Sequence, residues 1–415
     1  MREMKDSGAK WIGQIPSAWQ SDKLKYHLKR KEPKNPGDMT VLSLYRELGV
    51  IPKDSRDDNH NQTSEDTSKY KYVKPGNFVV NKMKAWQGSV AVSDYEGIVS
   101  PAYYVYEFTD NAFDKRYFHH LLRGCYKDEF MRLSGGMRVG QWDLSSDDLN
   151  NTLILIPPLD EQKKIAEFLD AKCSEIDTLI ADIQAQIETL EQYKRSTVIE
   201  SVTKGLNSNV PTKDSGIQWI GEIPEAWNCI RGKYILKYIS KPVREDDGVI
   251  TCFRDGEVTL RSKRREEGFT MADKEIGYQG IDVGDLVVHG MDGFAGAIGI
   301  SDSRGKASPV LNVLETKQNK RYIMYFLRSM AYGDVFLALA TGIRVRSCDL
   351  RWNKLAELFY PIPSLGAQTE IVEYIDSVIK ETNVIIANKK EQIATLESYK
   401  KSIIFEYVTG KKEVE

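Results

Sequence analysis

Between residues 159 and 206 the apolar residues recur in a fixed rhythm. Leu169, Cys173, Ile176, Ile180, Ile183, Ile187 and Leu190 are separated by alternating steps of four and three, which is the a/d seam of a coiled coil. The stretch has no proline, and its only glycine is Gly205. Pro157 and Pro158 precede it, so the helix is expected to start just after them. A lone helix leaves such a stripe in water and needs a partner. The chain carries one 206 residues further on, where 365–409 holds Ile375, Ile379, Ile386, Ile393, Leu396 and Ile403. The flanks correspond as well: IPPLDEQ (156–162) with IPSLGAQ (362–368), and TLEQYKRS (189–196) with TLESYKKS (395–402).

The repeat runs through the whole chain. KDSGAKWIGQIPSAW (5–19) matches KDSGIQWIGEIPEAW (213–227), both tryptophans included. PGNFVVNKMKAWQGSVAVSD (75–94) aligns with VGDLVVHGMDGFAGAIGISD (283–302), and GGMRVGQWDL (135–144) with TGIRVRSCDL (341–350). Each copy is an opening motif, a mixed domain and a long helix. The boundaries read 1–158 and 207–363 for the domains, 159–206 and 364–412 for the helices. Short apolar runs behind turn glycines (77–80 and 285–288), then 90–92 and 297–300, predict strands. Residues 117–124 and 322–329 predict helices. The copies diverge between the opening motif and the first of these strands. There the first has the polar stretch 54–69, read as a loop, and the second has FRDGEVTLRSKRREEG (253–268). Between the first helix and the second opening motif lies only LNSNVPT, which spans at most roughly 25 Å. The second domain therefore starts where the first helix ends, and the second helix must run back. The expected fold is α+β: two similar mixed α/β domains joined by two long helices in an antiparallel coiled coil, with a pseudo-twofold internal repeat.

At 415 residues, 41% hydrophobic and 28% charged, the chain has the composition of two or three globular domains. No apolar run reaches the 18 or so residues of a membrane span. The opening MREMKDSGAKW lacks the apolar core of a signal peptide. The five cysteines (125, 173, 229, 252 and 348) form no CxxC pair, so neither a disulfide framework nor a zinc site is indicated. A cytoplasmic protein with no membrane contact is expected. The net charge of −2 is unevenly spread: each domain sums to +2, the first helix region to −4 and the second to −2. A polyanion should meet the domains rather than the helices.

Catalytic patterns are missing from the sequence. It has no GxxxxGK[ST] phosphate loop, no Asn-Pro-Pro-aromatic motif of an amino-methyltransferase and no GxSxG elbow. No His/Cys/Asp set has metal-ligand spacing, and His119 and His120 are adjacent, off a common helix face. The expectation is no catalytic residue and no metal. Candidate DNA contacts fall in the domains. Arg138 and Gln141, and Arg344 and Arg346, sit in the two glycine-containing turns, where backbone approaches closely and arginine can grip phosphate or guanine. Lys82, Lys84, Trp86 and Gln87 follow a strand in the first domain. In the second, Arg261, Lys263, Arg264 and Arg265 form the densest basic run, with Arg254 and His289 as further candidates. Trp11, Trp19, Trp219 and Trp227 read as packing residues at the domain base or helix ends. The acidic outer faces, including Asp160, Glu161, Glu167, Glu175 and Asp182, read either as solvated surface or as a partner's docking site.

Together the duplicated DSGxxWIGxIPxxW opening, the GGMRVG and TGIRVR turns, and the LIPPLDEQKKIAEFLD start of a long helix resemble the specificity subunits (HsdS) of type I restriction–modification enzymes. Ser364 in place of the second proline, and Gly366 and Ala367 in place of Asp160 and Glu161, depart from that pattern in the second copy. The resemblance implies a non-catalytic subunit whose two domains each read one half of a split double-stranded DNA target. The coiled coil would set the spacer and dock two methyltransferase (HsdM-like) subunits. Those partners would hold S-adenosylmethionine, with a restriction (HsdR-like) subunit as an optional third component. The alternative from a different class is a coiled-coil scaffold with two ligand-binding domains and no DNA role.

Overall fold

In the computed structural model the described residues are 2–46, 48–55, 63, 66–136, 142–264, 276–339 and 350–414. The two heptad stretches are helices of 46 residues (Leu159–Lys204) and 44 residues (Leu365–Val408). The first begins directly behind Pro157 and Pro158, and Glu161 and Gln162 donate their backbone N–H groups to Pro158 O. In the second, Ser364 takes the place of that proline. Its Oγ accepts from Ala367 N at 3.3 Å, an N-cap that serves the same end by another means. The departure at 364–367 therefore leaves the helix start where the repeat puts it. Both helices run out into a left-handed glycine, Gly205 (φ +76) and Gly410 (φ +69), a conformation that only glycine adopts cheaply.

The chain divides into two units, Met1–Ile183 with Glu391–Glu415, and Gln184–Lys390. Part of each long helix lies in each unit. Within unit 1, Phe168 stacks on Tyr407 at 4.4 Å and Asp177 accepts from Lys400 at 2.6 Å. Within unit 2, Gln186 accepts from Lys389 at 2.5 Å and Asn383 from Lys194 at 2.7 Å. In both, numbering rises along one helix as it falls along the other, so the pairing is antiparallel. Leu169, Cys173, Ile176, Ile375, Ile386 and Ile403 are buried; Ile180, Ile183, Ile187, Leu190, Ile379, Ile393 and Leu396 are half-buried. The same rhythm continues through Lys194, Thr197 and Ser201 on the first helix and Thr382, Lys389 and Lys400 on the second. An apolar template passes over these polar seam positions.

Each unit carries a four-stranded antiparallel sheet of the same topology. In unit 1 the order is Leu28–Lys31, Tyr103–Phe108, Phe78–Asn81, Val90–Val92. In unit 2 it is Leu236–Ile239, Leu311–Thr316, Leu286–His289, Ile298–Ile300. The predicted strands are present, 90–92 unchanged and the others with boundaries moved by one residue. The predicted helices extend to Lys115–Cys125 and Lys320–Tyr332. The divergent segments hold something the sequence reading missed, a β-hairpin in each copy. It pairs Leu42–Tyr45 with Gly49–Pro52 in unit 1, and Ile250–Cys252 with Val258–Leu260 in unit 2. Much of the stretch read as a loop, 56–62 and 64–65, lies outside the described residues; Lys53–Ser55 is a turn of 3₁₀ helix.

The repeated sequence motifs turn out to be the joints between domain and helix. Gln162 is fully buried. Its Nε2 donates to Ala112 O at 2.7 Å and Pro157 O at 2.9 Å, and its Oε1 accepts from Asp114 N at 2.9 Å. Gln368 repeats the arrangement with Gln318 Oε1, Pro363 O and Asn319 N. Asp114 and Asn319 are the N-caps of the two domain helices, so one glutamine side chain ties the start of each long helix to the start of a domain helix. Removing it strands buried donors and acceptors, at a cost of about 1–3 kcal/mol. From the same domain helices, Tyr117 donates to Val408 O at 3.0 Å and Tyr322 to Pro361 O at 2.7 Å, with Val202 O at 3.1 Å. Trp19 and Trp227 are buried and pack against Gly410 and Gly205, as expected of packing residues. Trp11 stacks edge-on with Tyr126 at 4.6 Å. Trp219 departs from that expectation and is 37% exposed. Alanine (Ala331) occupies the position equivalent to Tyr126, so the ring Trp11 leans on is missing.

Candidate nucleic-acid interface

In unit 1 three segments converge. The tip of the hairpin presents Arg46, exposed, which donates to Gln87 Oε1. Gln87 lies on a 3₁₀ turn, Ala85–Gln87. This turn follows the central strand Phe78–Asn81 and ends in Gly88 in the left-handed region. Trp86 is half-buried there, its Nε1 donating to Met83 O at 3.1 Å and its ring 5.6 Å from that of Trp142. The third segment is the strand-like arm of the glycine turn. Gly135 and Asp143 exchange backbone hydrogen bonds, Leu144 N donates to Lys82 O, and Lys82 Nζ lies 3.5 Å from Asp143. Lys84 is exposed on the same turn. Arg138 and Gln141 lie outside the described residues, but the arms that flank them close against Lys82 and Trp86.

Unit 2 builds the same face from other residues. The hairpin tip presents Arg254, whose side chain is 61% exposed and donates to Asp292 Oδ1 at 3.0 Å. Asp292 precedes the 3₁₀ turn Gly293–Ala295, the counterpart of Ala85–Gln87. His289 stands at the end of the central strand, with Nδ1 accepting from Met291 N at 3.2 Å and Asp292 N at 2.9 Å. Burial holds its imidazole below the usual histidine range, Asp292 opposing and Arg254 adding to the effect, so at neutral pH it is an uncharged acceptor. Leu350 N donates to Gly290 O, as Leu144 N does to Lys82 O. Arg344 and Arg346 lie outside the described residues.

Within the described part of the basic run, Arg261, Lys263 and Arg264 do not form one free cationic face. Arg261 Nε donates to Thr251 Oγ1 at 2.9 Å. Arg264 grips Asp255 and Glu257 and lies 4.1 Å over the Phe253 ring. Burial pushes the Asp255 carboxyl up, but the Arg264 and Glu257 hydrogen bonds outweigh it and hold the group below the usual carboxylate range. Lys263 turns instead to Ser303 Oγ at 2.7 Å. Arg264 thus braces the hairpin tip and Lys263 ties the segment to another loop. Arg265 lies outside the described residues. Arg46 was missed by the sequence reading. Its only signal was position, the same number of residues ahead of the aligned strand as Arg254. Among the described residues no group of three or more His, Cys, Asp or Glu side chains could hold a metal ion, and no helix is long and apolar enough to cross a membrane.

Comparisons with known proteins agree with this architecture. Residues 24–189 match the type I restriction modification DNA specificity domain. The specificity subunit of the type I restriction enzyme MjaVIII from Methanocaldococcus jannaschii is 27% identical over 369 residues, 83% of each chain. That of EcoBI from Escherichia coli is 27% identical over 311 residues, 68% of this chain and 64% of that one. Among solved structures, a chain from a type I restriction–modification system, described for its complex assembly and conformational transition, superposes with a TM-score of 0.68 at 14% identity. It covers 96% of this chain and 99% of its own length. The HsdS subunit from Thermoanaerobacter tengcongensis superposes with a TM-score of 0.50, also at 14% identity, over 96% and 98%. With the specificity domain matched over residues 24–189 and specificity subunits matched along most of its length, the chain is similar to the DNA specificity subunits of type I restriction–modification systems.

Proposed function

We propose that this chain recognises DNA sequence for a type I restriction–modification complex, each domain reading one half of a bipartite target. One observation carries the reading. The two domains keep one backbone frame, a hairpin tip, a 3₁₀ turn and a glycine-turn arm, and fill it with different polar sets. Unit 1 offers Arg46, Lys82, Lys84 and Gln87; unit 2 offers Arg254, His289 and Asp292. Groove edges are read by such donor and acceptor sets, and two unlike half-sites require two unlike sets. The scaffold alternative gains nothing from the relatives named above, which are DNA-specificity subunits.

On this reading the chain performs no chemistry. Methyltransferase partners bind S-adenosylmethionine and methylate adenine, and a restriction subunit joins when DNA is cut. The paired helices set the gap between half-sites and dock the methyltransferase. A stoichiometry of two methyltransferase subunits is supported by the repeat on the coil surface. Leu179 and Ile385 are equivalent, as are Tyr193 and Tyr399, and all four are exposed, at 44, 45, 51 and 53%. Each directly precedes an a position, which makes it a g residue, and in an antiparallel pair g residues flank the same side. Unit 1 thus shows Leu179 with Tyr399, and unit 2 shows Tyr193 with Ile385.

The test is co-expression with the methyltransferase encoded beside it, followed by genome-wide mapping of N6-methyladenine. A split motif with two short defined halves and a fixed undefined gap is expected. So is DNA binding that weakens steeply with salt. No methylation, together with binding no better than to random sequence, would remove the DNA reading.

A further inference from the structure

An aligned arginine of the domain helix lies beneath the hairpin in both units, and in unit 2 it holds the tip. In unit 2 it is Arg328, on the helix Lys320–Tyr332. Its Nη2 donates to Asp255 O at 2.7 Å, a backbone carbonyl within the turn. Its guanidinium lies 5.5 Å over the Tyr332 ring, which fixes it to the helix. Gly256, next in the turn, has φ +93, and any Cβ there would collide with the guanidinium. The tip is also pressed on its other side, since a Cβ on Gly296 would come within 2.6 Å of Arg254 O. In unit 1 the aligned residue, Arg123 on the helix Lys115–Cys125, packs in ordinary van der Waals contact beside Gly49, the first residue of the second hairpin strand. Its Nη1 lies 3.5 Å from where a Cβ on Gly49 would stand, and Gly49 has φ +75. Arg123 also donates to His119 Nε2 at 3.1 Å.

The geometry points to Arg328 and Arg123 as positioning residues for recognition, each setting the hairpin-tip arginine of its own domain, Arg254 or Arg46, against DNA. This rests on the DNA reading above and adds a specific dependency to it. Neither residue needs to reach DNA. In unit 2 a charge-assisted hydrogen bond from a rigid helix to a turn carbonyl fixes the backbone beside the tip arginine. Base readout depends on that placement, because a bidentate contact tolerates little displacement. Gly256 is the other half of the device in unit 2, since it lets the guanidinium close under the turn. The hairpin turns differ between copies while the helix arginine stays, as expected of a shared mount carrying different tips.

The test uses the complex with its methyltransferase, assayed on duplexes carrying single-base changes in either half-site. R328M keeps the aliphatic stem and removes the donors. It should cut discrimination roughly tenfold, only in the half-site that R254A also affects. R123M should do the same in the other half, the one that R46A affects. In an R254A background, R328M should add little, since it acts through the residue already removed. R328K, which keeps a donor, should recover part of the discrimination. Melting curves accompany each variant. The proposal is overturned if R328M leaves both halves unchanged, if R254A has no half-site effect, or if the two substitutions act additively. An equal loss in both halves that follows a lowered melting temperature would also overturn it and assign a structural role. If the unmodified complex itself shows no bipartite motif, the fault lies in the DNA reading and not in the mount.

Discussion

At the scale of single residues, His119 shows how the mount for the first hairpin depends on pH. It is largely buried beneath the hairpin and accepts a hydrogen bond from Arg123. Burial and the Arg123 charge push its imidazole down to about 3, Asp170 opposing. In the unfolded chain the ring takes a proton near pH 6.5. Between these values the unfolded state binds more protons, so stability falls as the pH falls. Lowering the pH from 7 to 5 should cost up to about 2 kcal/mol from this group, and H119Q should flatten that part of the profile. Denaturant titrations of both proteins at several pH values measure it; parallel profiles would dismiss the buried neutral ring. Little of this was legible in the sequence, where HisHis on a predicted helix says nothing of depth. Arg46 was equally hidden, because the residues the copies share along the hairpin, Val41, Arg46 and Val50 with Val249, Arg254 and Val258, are too scattered to mark two short strands and a turn. Arg138, Gln141, Arg265, Arg344 and Arg346, chosen from the sequence, lie outside the described residues.

At the scale of elements, the two long helices were legible because period and repeat gave the same answer twice. What the apolar period omitted is the polar part of the seam. Lys194, Lys389 and Lys400 occupy core positions and each reaches an acceptor on the facing helix, Asn383, Gln186 and Asp177. A lysine at such a position lowers stability and specifies register. The exposed half of each contact contributes little by itself. Replacing Lys400 by leucine should therefore raise stability by about 1 kcal/mol. Replacing all three should raise it further while admitting other pairings, seen as mixed masses in light scattering. A triple variant that melts higher and stays a single species of unchanged mass would show that the lysines do not choose the pairing. The joint residues Gln162 and Gln368 were visible as a repeated letter, but their work was not. It depends on an N-cap that the fold brings in from 48 or 49 positions away.

At the scale of the whole molecule, the repeat lets the two functions be altered separately. If the domains read bases and the helices set the gap, a change confined to the helices should alter the gap alone. Gln186 and Gln392 are equivalent positions within the two heptad runs. Inserting seven residues at both preserves the a/d pattern and adds about 10 Å to each helix at about 1.5 Å per residue. At about 3.4 Å per base pair, the undefined gap in the methylated motif should widen by about three positions, with both halves unchanged. The insertion at one site only should destroy pairing beyond it and abolish methylation of the split motif. A double insertion that methylates the original motif would mean that the gap is set elsewhere, for instance by the methyltransferase partners. A double insertion that changes the bases recognised in either half would mean that the helices take part in readout.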